Sequence, residues 1–451
     1  IRVAVLDTGY TDHPDLAGRF VGGYDFVSDS RIGNDGNGRD ADAHDPGDWI
    51  TSTESRRGFF AGCPTSTSSW HGTHVAGTIG AATGNGTGIA GINQVSEIVP
   101  VRVLGKCGGY ESDIADAIRW SAGLPVSGVP VNPHPARVIN MSLGGSGTCA
   151  GSAYQSAITA AVGAGAVVVV AAGNSNMDAA GFTPASCAGV VTVGATGKAG
   201  ARAYYSNYGT TVEVSAPGGD SNADAGDTIL STLNAGTRSP GTASYARYQG
   251  TSMAAPHVAG IVSLVLSVDP TLTPAEVTAL LRATARPFDP TSPCTGVKYC
   301  GTGITDAGAA VSAAAGGSPS TTTTTIPVTT TTTVPVTTTT TTTTVPVTTT
   351  TTTVPGGRPG AFVKVSPSNG ATRLRSVTLT WSSSTGATVY EVCFDRTLDG
   401  ACNGTWTAIS GTSAGTSGLR KSTTYEWQVR AVNGSGTTVA DSGTWYRFTT
   451  R

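Results

Sequence analysis

The chain has 451 residues, of which 38% are hydrophobic and only 12% charged, and its formal net charge at pH 7 is −2. A chain of this length is expected to form two or three domains, each with its own core. The near-neutral charge provides no basic surface for nucleic acid or for an anionic membrane, so we expect neither partner. No run reaches the ~20 apolar residues of a membrane span. We expect a monomer.

The eight cysteines indicate the compartment in which the chain works. They are Cys63, Cys107, Cys149, Cys187, Cys294, Cys300, Cys393 and Cys402. None belongs to a Cys-x-x-Cys pair of the kind found in zinc ribbons or thioredoxin-like sites. An even number in so polar a chain favours disulfides and an oxidising, extracellular location. Their order suggests the pairs 63–107, 149–187, 294–300 and 393–402, and eight buried free thiols are the alternative.

The beginning of the chain suggests processing. Ile1 lies inside a strand-like run, and no signal peptide is visible before it. We therefore expect a trimmed chain of a secreted protein, without its signal peptide and without any propeptide.

Residues 1–317 predict an α/β domain. Continuous β-branched runs are typical of strands buried on both faces of a parallel sheet, and they occur at residues 3–6, 98–104, 138–143, 167–172 and 190–193. Helix candidates lie between them at residues 72–82, 112–122, 152–164 and 253–268. Thr273 and Pro274 mark a further helix as its cap and first residue. The pattern predicts a parallel sheet covered by helices on both faces.

The remainder of the chain predicts a linker and a second domain. Residues 318–360 consist mainly of threonine runs separated by Val-Pro and Ile-Pro steps, which cannot form a core and favour a disordered, extended linker. It is either a plain spacer or an O-glycosylated stalk. Residues 361–451 contain alternating strands at 376–381, 389–395, 424–432 and 444–450, which predict a small all-β sandwich. The spacing of Trp381, Leu419 and Tyr425-x-Trp427-x-Val429 resembles a fibronectin type III domain.

Three segments of the first domain carry the residue types of nucleophilic catalysis. Asp7 ends a buried strand, His71 begins a small-residue helix, and Ser252 follows a glycine turn at the start of another helix. A serine hydroxyl is a weak nucleophile and needs a base such as imidazole, whose pKa lies near working pH. A buried aspartate stabilises the imidazolium that forms. The N–H groups at a helix N-terminus favour the developing oxyanion.

Each segment also has a simpler interpretation. Asp-Thr-Gly occurs in turns, Gly-Thr-Ser can be a helix cap, and His71 with His74 could bind a metal. The metalloprotease helix, however, needs a glutamate where this chain has Gly72. The joint occurrence of all three segments favours the serine nucleophile over a secreted binding or surface protein that has lost catalysis.

The order Asp7, His71, Ser252, with the flanking residues Asp-Thr-Gly, His-Gly-Thr-His and Gly-Thr-Ser-Met-Ala, resembles the subtilisin-like serine peptidases (subtilases) over residues 1–312. Residues 171–174 and 206–209 are similar to the extracellular bacterial branch near proteinase K. The resemblance implies a secreted serine endopeptidase that forms an acyl-enzyme at Ser252. Asp7 would orient His71, His71 would act as base and then acid, and Asn174 would stabilise the oxyanion. No cofactor is expected for catalysis.

The resemblance also implies how protein and peptide substrates bind. Glycine-rich strand ends would pair with an extended peptide. The residues implied are Gly108, Gly109, Ser142, Leu143, Gly144, Ala172 and Gly173. The absence of acidic residues from 142–145 and 171–174 favours broad specificity with an apolar or aromatic P1 side chain. Asp178 leaves a basic P1 as the alternative.

Two further expectations concern binding outside the catalytic residues. Asp35, Asp40, Asp42 and Asp48 lie in one acidic loop and predict a structural calcium site, with a solvated acidic loop as the alternative. The family resemblance implies a second candidate ligand at Glu213. The C-terminal domain is expected to bind a polymer or a cell-surface partner, either through Trp406 and Trp445 or with these tryptophans packed in its core.

Overall fold

The computed structural model describes residues 1–289, 292–296, 298–316 and 358–450, apart from 361, 368, 375–376, 383, 385–386, 404, 410, 417–418 and 434–435. The chain divides into two compact units, Ile1–Val328 and Thr329–Arg451. Nearly all of the predicted linker, residues 318–360, lies outside the described residues, so the disorder of this segment stays a prediction.

The first unit is built around a parallel sheet. The strands of its described part, in chain order, are β1 (Arg2–Asp7), β2 (Tyr24–Asp25), β3 (Glu97–Arg102), β4 (Val138–Met141), β5 (Gly145–Ser146), β6 (Val167–Ala171), β7 (Phe182–Thr183), β8 (Val190–Thr196), β9 (Val214–Pro217), β10 (Ile229–Asn234) and β11 (Ala243–Tyr248). Seven of them form a sheet in the order β2-β3-β1-β4-β6-β8-β9, with every neighbouring pair parallel. The predicted parallel sheet is confirmed.

The helices also agree with the sequence. In chain order they are α1 (Ser30–Gly33), α2 (Ser52–Arg56), α3 (His71–Gly80), α4 (Glu111–Ser121), α5 (Ala153–Gly163), α6 (Thr251–Val268), α7 (Pro274–Thr284) and α8 (Ala307–Ala314). At α7, Thr273 is the N-cap and forms a reciprocal capping box with Glu276, and Pro274 is the first helical residue. The short helices α1, α2 and α8 were not predicted, because they lack a long periodic pattern.

Consecutive residues of the central strands supply two separate cores, one on each face of the sheet. Val3 and Val5 of β1 pack into the cluster that contains the apolar residues of α3, α6 and α7. Ala4 and Leu6 of the same strand pack with α4 and α5 on the other face. This alternation, with both faces covered, explains why the strand sequences are hydrophobic at every position.

Helix α6 passes through the first of these cores. It is the one helix of the described residues that is long and apolar enough to cross a membrane, and 72% of that segment is buried inside the protein. Ala254, Val258 and Val262 along its length have no exposed surface. Such burial is typical of a core helix in a globular domain.

The sheet brings the candidate residues to one edge. The strand order changes direction at β1, since β3 lies on one side of it and β4 on the other. Asp7 is the last residue of β1, Ser142 follows β4, and Asn174 lies three residues after β6. Ligands of open α/β sheets bind where such strands end at their carboxyl edge.

All four predicted disulfides are present. Cys63 pairs with Cys107, Cys149 with Cys187, Cys294 with Cys300, and Cys393 with Cys402, with Cα–Cα distances of 4.9–6.0 Å.

The second unit consists of two sheets. Its described strands are β12 (Lys364–Ser366), β13 (Ala371–Leu374), β14 (Thr378–Trp381), β15 (Val389–Asp395), β16 (Thr407–Ile409), β17 (Ser413–Gly415), β18 (Thr424–Asn433), β19 (Gly436–Val439) and β20 (Tyr446–Thr450). One sheet has the order β12-β14-β17, and the other has the order β13-β20-β18-β15-β16, with β19 paired to β18. Leu379 and Trp381 of the first sheet share a core with Val392, Trp427 and Phe448 of the second. The predicted β domain is therefore present, and its relation to fibronectin type III stays a prediction.

A buried guanidinium holds the acidic loop of the first unit against the sheet. Arg102, the last residue of β3, is 1% exposed and pairs with the carboxylates of Asp25 and Asp35. It also donates a hydrogen bond to the carbonyl of Gly33. Burial raises the pKa of Asp25 to about 7 even though Arg102 and the Val27 N–H favour its ionised form. The loop is thus fixed beside Asp7, which is the register partner of Arg102 in β1.

We expect Arg102→Met to destabilise the first unit by about 3–5 kcal/mol, because it leaves Asp25 buried without its cation. Unfolding in urea can be followed by the far-ultraviolet circular dichroism of the helices. The double variant Arg102→Met/Asp25→Asn should recover part of the loss. A loss below about 1 kcal/mol in the single variant would contradict this role of the ion pair.

Candidate active site

Asp7 and His71 form a hydrogen-bonded pair at the carboxyl end of β1. The Asp7 side chain is fully buried, and its Oδ1 accepts hydrogen bonds from the Thr8 N–H at 2.8 Å and from His71 Nδ1 at 2.7 Å. His71 keeps 21% of its side chain exposed, so its ring extends from the buried carboxylate to the surface of the cleft. The contact places the Nδ1 proton toward Asp7 and leaves Nε2 available in the cleft.

The approach of α3 to β1 depends on Gly72. A Cβ on this residue would lie 2.1 Å from the Gly9 carbonyl oxygen and 3.2 Å from the Asp7 Cβ, so no larger residue fits. The preceding residue, Trp70, has a left-handed conformation with φ of 50°, and its Nε1 donates to the Gly236 carbonyl at 2.6 Å. The chain therefore turns sharply into the helix, and His71 is its first residue.

His74 has a different role from His71. It has no exposed surface, and its Nε2 lies 3.1 Å from the Ile229 carbonyl and 3.2 Å from that of Ala246, on the β10–β11 hairpin. Its ring stacks on Tyr248 with the centroids 4.6 Å apart. Burial lowers the pKa of His74 to about 4, so it is neutral and donates to these carbonyls. These contacts occupy His74 Nε2, and the described residues contain no group of three His, Cys, Asp or Glu side chains that includes His71 and His74 and could hold a metal.

Ser252 lies in the first turn of α6, where backbone N–H groups have no partner within the helix. Pro256 has no N–H to donate to the Ser252 carbonyl four residues earlier. The Ser142 hydroxyl takes that place and donates to the Ser252 carbonyl at 2.8 Å. The Ser252 hydroxyl in turn donates to the Ser142 carbonyl at 3.2 Å. The residue after β4 and the start of α6 are therefore held together through both hydroxyls.

Thr251 orients the side-chain amide of Asn174. Asn174 Oδ1 accepts from the Thr251 N–H at 2.8 Å and from its hydroxyl at 2.9 Å. With the oxygen held in this way, the NH₂ group points away from Thr251. Asn207 supports the same loop, since its Oδ1 accepts from the Ser175 and Met177 N–H groups and its Nδ2 donates to the Ala172 carbonyl. The motifs did not reveal these roles of Thr251 and Asn207.

Two N–H donors converge beside Gly250. A methyl group added to Gly250 would lie 3.4 Å from Asn174 Nδ2 and 3.6 Å from the Ser252 nitrogen. The same small volume is therefore close to both nitrogens. Such a position suits the oxygen of a carbonyl under attack, because the negative charge that develops there would meet both donors.

An uncharged cavity of about 330 Å³ opens next to Ser252. The predicted residues Ser142, Leu143, Gly144, Ala172 and Gly173 all line it. Gly145 and Ala171, which belong to the stretches 142–145 and 171–174, line it as well. Lining residues that the sequence did not indicate are Ser146, Ser175, Phe182, Thr183, Ala185 and Thr251. Asp178 is not part of this lining, because its Oδ1 accepts from the Ala180 N–H at 2.9 Å and caps a short helical turn.

A longer groove of about 650 Å³ adjoins this cavity and reaches His71. Gly108 and Gly109, which were predicted to flank the substrate, line one side of it, and Ser142, Leu143 and Gly144 line the other. The Cys63–Cys107 disulfide lies at its wall. All seven predicted substrate-binding residues thus lie along one continuous depression.

The four predicted calcium ligands do not form one site. Asp35 pairs with Arg102, Asp42 with His44, and Asp40 accepts a hydrogen bond from Asn37 at 2.6 Å. Asp48 lines the longer groove that reaches His71. In the part of the chain that the structure describes, no three His, Cys, Asp or Glu side chains are grouped to hold a metal. The arrangement does not fit the predicted calcium site, since protein donors already occupy these carboxylates.

The second calcium candidate has a protein partner as well. Glu213 lies 3.2 Å from the guanidinium of Arg282. Burial raises the pKa of Glu213, and the charge of Arg282 opposes that effect. A cationic side chain thus stands beside this carboxylate.

The fold and the site define an α/β protein with an aligned Asp-His pair, a helix-terminal serine and two convergent N–H donors. Residues 1–295 match the family model described as the subtilase family of S8 peptidases. This match covers more than half of the chain, and the chain belongs to the subtilase family. The resemblance found in the motifs is confirmed.

Individual relatives agree with this assignment. The chain is 56% identical over 313 residues to the "Extracellular protease" of Xanthomonas campestris, a match covering 69% of this chain and 51% of that protein. It is 45% identical over 322 residues to the "Extracellular basic protease" of Dichelobacter nodosus, covering 69% and 50%. The chain therefore spans about half the length of these two relatives.

A solved structure of a protease from Pseudoalteromonas arctica is also similar. It shares 52% identity with this chain and superimposes with a TM-score of 0.65, covering 70% of this chain and 90% of that one. The predicted subtilisin-like fold of the first unit is confirmed by this likeness.

We expect Gly250→Ala to lower kcat for peptide hydrolysis by about 10²–10³, the range measured on subtilisin when one oxyanion donor is lost. The added methyl group would fill the space between Asn174 Nδ2 and the Ser252 N–H, and the φ of +155° at Gly250 disfavours any side chain. Hydrolysis of a peptide anilide measures the effect, with circular dichroism to verify folding.

Gly163→Ala is the matched control, because a Cβ at Gly163 meets no atom within 4 Å. Its kcat should equal that of the parent. A folded Gly250→Ala variant with parental kcat would show that the oxyanion lies elsewhere.

Proposed function

We propose that the chain is a secreted serine endopeptidase that cleaves peptide bonds through an acyl-enzyme at Ser252. The observation that supports this most directly is the pair of donors, Asn174 Nδ2 and the Ser252 N–H, beside a serine at a helix N-terminus. The buried Asp7–His71 pair belongs to the same edge of the sheet. A peptidase domain that had lost its activity would not need all of these groups at one edge of the sheet.

In the proposed mechanism, the Ser252 hydroxyl turns from the Ser142 carbonyl toward His71 Nε2 when a substrate is bound. His71 removes the hydroxyl proton as Ser252 attacks the scissile carbonyl carbon, and Asp7 stabilises the resulting imidazolium. The carbonyl oxygen becomes an oxyanion between Asn174 and the Ser252 N–H. His71 then donates its proton to the leaving amine, and water releases the acyl group by the same steps.

The charges around His71 adjust its basicity. Burial lowers the pKa of His71, but the neighbouring carboxylates of Asp7, Asp48 and Asp45 outweigh it, so the pKa lies above its ordinary value of 6.5. Only the neutral imidazole can accept the serine proton. Activity should therefore decrease as the pH falls through this raised pKa, and the enzyme should work best at neutral to alkaline pH.

The cavity beside Ser252 supports a preference for apolar or aromatic P1 side chains. Its lining contains no charged residue, and Phe182, Ala172 and Ala185 give it apolar walls. A lysine or arginine would lose its hydration there without gaining a counter-charge. With open glycine-rich edges on both sides of the groove, we propose broad specificity at the other positions.

Secretion is supported by two observations. Both relatives are named extracellular proteases, and the first unit contains three disulfides, which persist in oxidising compartments.

Labelling with a fluorophosphonate probe tests the proposed function. The parent chain should be modified on Ser252, and Ser252→Ala should lose both the label and peptide hydrolysis, with turnover reduced by about 10⁶, a figure measured on subtilisin. Mass spectrometry of the labelled peptide identifies the residue. A folded parent chain that neither reacts with the probe nor cleaves peptides would favour the rival function, that of a binding protein.

We propose, for the second unit, that Trp406 and Trp445 form a platform for an insoluble polysaccharide. The two ring centroids are 6.4 Å apart and tilted by 55°, and both side chains are partly exposed. Neither belongs to the buried core of this unit. Arg430 lies 4.3 Å above the Trp406 ring and pairs with Glu391, which fixes that ring in place. Exposed, rigid aromatic faces are suited to stacking against sugar rings.

Retention on chitin and cellulose beads tests this platform. Trp406→Ala and Trp445→Ala should each weaken retention of the full chain by about threefold to tenfold, in line with the energy of one aromatic contact. Leu398→Ala, which removes an apolar side chain that is 42% exposed, serves as the control and should bind like the parent. If the parent binds neither polymer, or if both tryptophan variants bind like the parent, the platform is refuted.

A further inference from the structure

The substrate groove contains a carboxylate without a counter-charge. Asp48 lines the groove near His71 and is half-buried. Among the described residues, Asp48 takes part in no ion pair, whereas Asp35 of the same loop pairs with Arg102. Asp40 and Asp45 of this loop also form no ion pair among the described residues, but of these three carboxylates only Asp48 lines the groove.

Asp48 is held in a defined position by Ser69. The Ser69 N–H donates to Asp48 Oδ1 at 2.6 Å, and the Ser69 hydroxyl donates to Oδ2 at 2.7 Å. Each carboxylate oxygen has two lone pairs, so both keep capacity for another donor. Ser69 also accepts a hydrogen bond from the His71 N–H at 3.3 Å, which links the carboxylate to the start of α3.

The geometry of an extended peptide determines which side chain meets Asp48. Consecutive side chains of a strand point to opposite sides. When the P1 side chain enters the cavity beside Ser252, the preceding side chain, P2, points to the other side of the peptide. His71, Asp48 and Leu104 are among the residues that line the groove, and the P2 side chain is assigned to this part of it.

We propose that Asp48 determines specificity at P2 by favouring a lysine or arginine side chain there. This inference rests on the proposed peptidase function and adds one recognition element to it. The groove offers no competing cation, because none of its described lining residues is lysine or arginine. Its other carboxylate, Glu111, accepts from the Ala153 N–H at 2.8 Å and caps α5. An acidic P2 side chain should accordingly be disfavoured.

The test uses the full chain and four peptide anilides with phenylalanine at P1 and lysine, Nε-acetyl-lysine, alanine or glutamate at P2. We expect kcat/KM for lysine to exceed that for acetyl-lysine and alanine by about threefold to fivefold, as for a partly solvated ion pair. Glutamate should be the poorest substrate. The lysine preference should shrink as salt is raised from about 20 mM to about 0.5 M, because screening weakens the attraction.

Two variants assign the preference to Asp48. Asp48→Asn keeps an oxygen acceptor for Ser69 and should reduce the lysine-to-acetyl-lysine ratio to about one. Asp12→Asn makes the same change in charge at a side chain that is 95% exposed and does not line the groove, and it should keep the parental ratio. A parental ratio in Asp48→Asn, or equal kcat/KM for lysine and acetyl-lysine in the parent, would overturn the inference.

The parental comparison of lysine with acetyl-lysine needs no variant, so it decides the matter even if Asp48→Asn does not fold. Cleavage of the alanine substrate together with fluorophosphonate labelling, but without any lysine preference, would refute the role of Asp48 and leave the peptidase function intact. Absence of both cleavage and labelling would overturn the two proposals together.

Discussion

A buried carboxylate needs hydrogen-bond donors close to it, and the buried carboxylate of Asp7 determines how the residues around it are placed. Its Oδ1 is bound by the Thr8 N–H and by His71 Nδ1, with no water-exposed surface. Since leaving such a group unpaired costs several kcal/mol, the His71 ring has one favourable orientation, with Nε2 directed to the cleft. β1 must then end where α3 begins, and Gly72 permits that contact because a Cβ would collide with Gly9.

The part of the site around Ser252 depends on the hydrogen bonds that backbone groups form at the start of α6. Pro256 leaves the Ser252 carbonyl without its helical partner, and Ser142 provides one from the end of β4. Thr251 holds Asn174 Oδ1, so the amide NH₂ must face the space beside Gly250. Three consecutive residues, Gly250 to Ser252, therefore supply the open space, the orienting contact and the proposed nucleophile, while the strand ends supply their partners.

Sequence reasoning predicted the features that depend on local pattern. The five parallel strands, the four long helices, the α7 capping box and the disulfide pairs followed from hydrophobic runs, cap residues and cysteine order. In the first unit it missed β2 and β9 of the parallel sheet and the hairpin of β10 and β11, none of which has a continuous β-branched run. It also missed the roles of Thr251 and Asn207, which depend on contacts between distant segments. The contacts of the acidic loop were not predicted for the same reason: Arg102 lies 67 residues from Asp35, and aspartate spacing alone does not reveal such a partner.

The aspartates of the first unit show why residue type could not decide their roles. Asp7 is fully buried against a histidine, Asp25 is buried against an arginine with its pKa raised to about 7, and Asp48 is half-buried beside a serine. Burial and partner charge, both results of tertiary structure, determine whether each carboxylate orients a base, anchors a loop or faces the groove. Among the described residues Asp48 takes part in no ion pair and lines the groove, so under the proposed role its charge is left for a cationic side chain of the substrate.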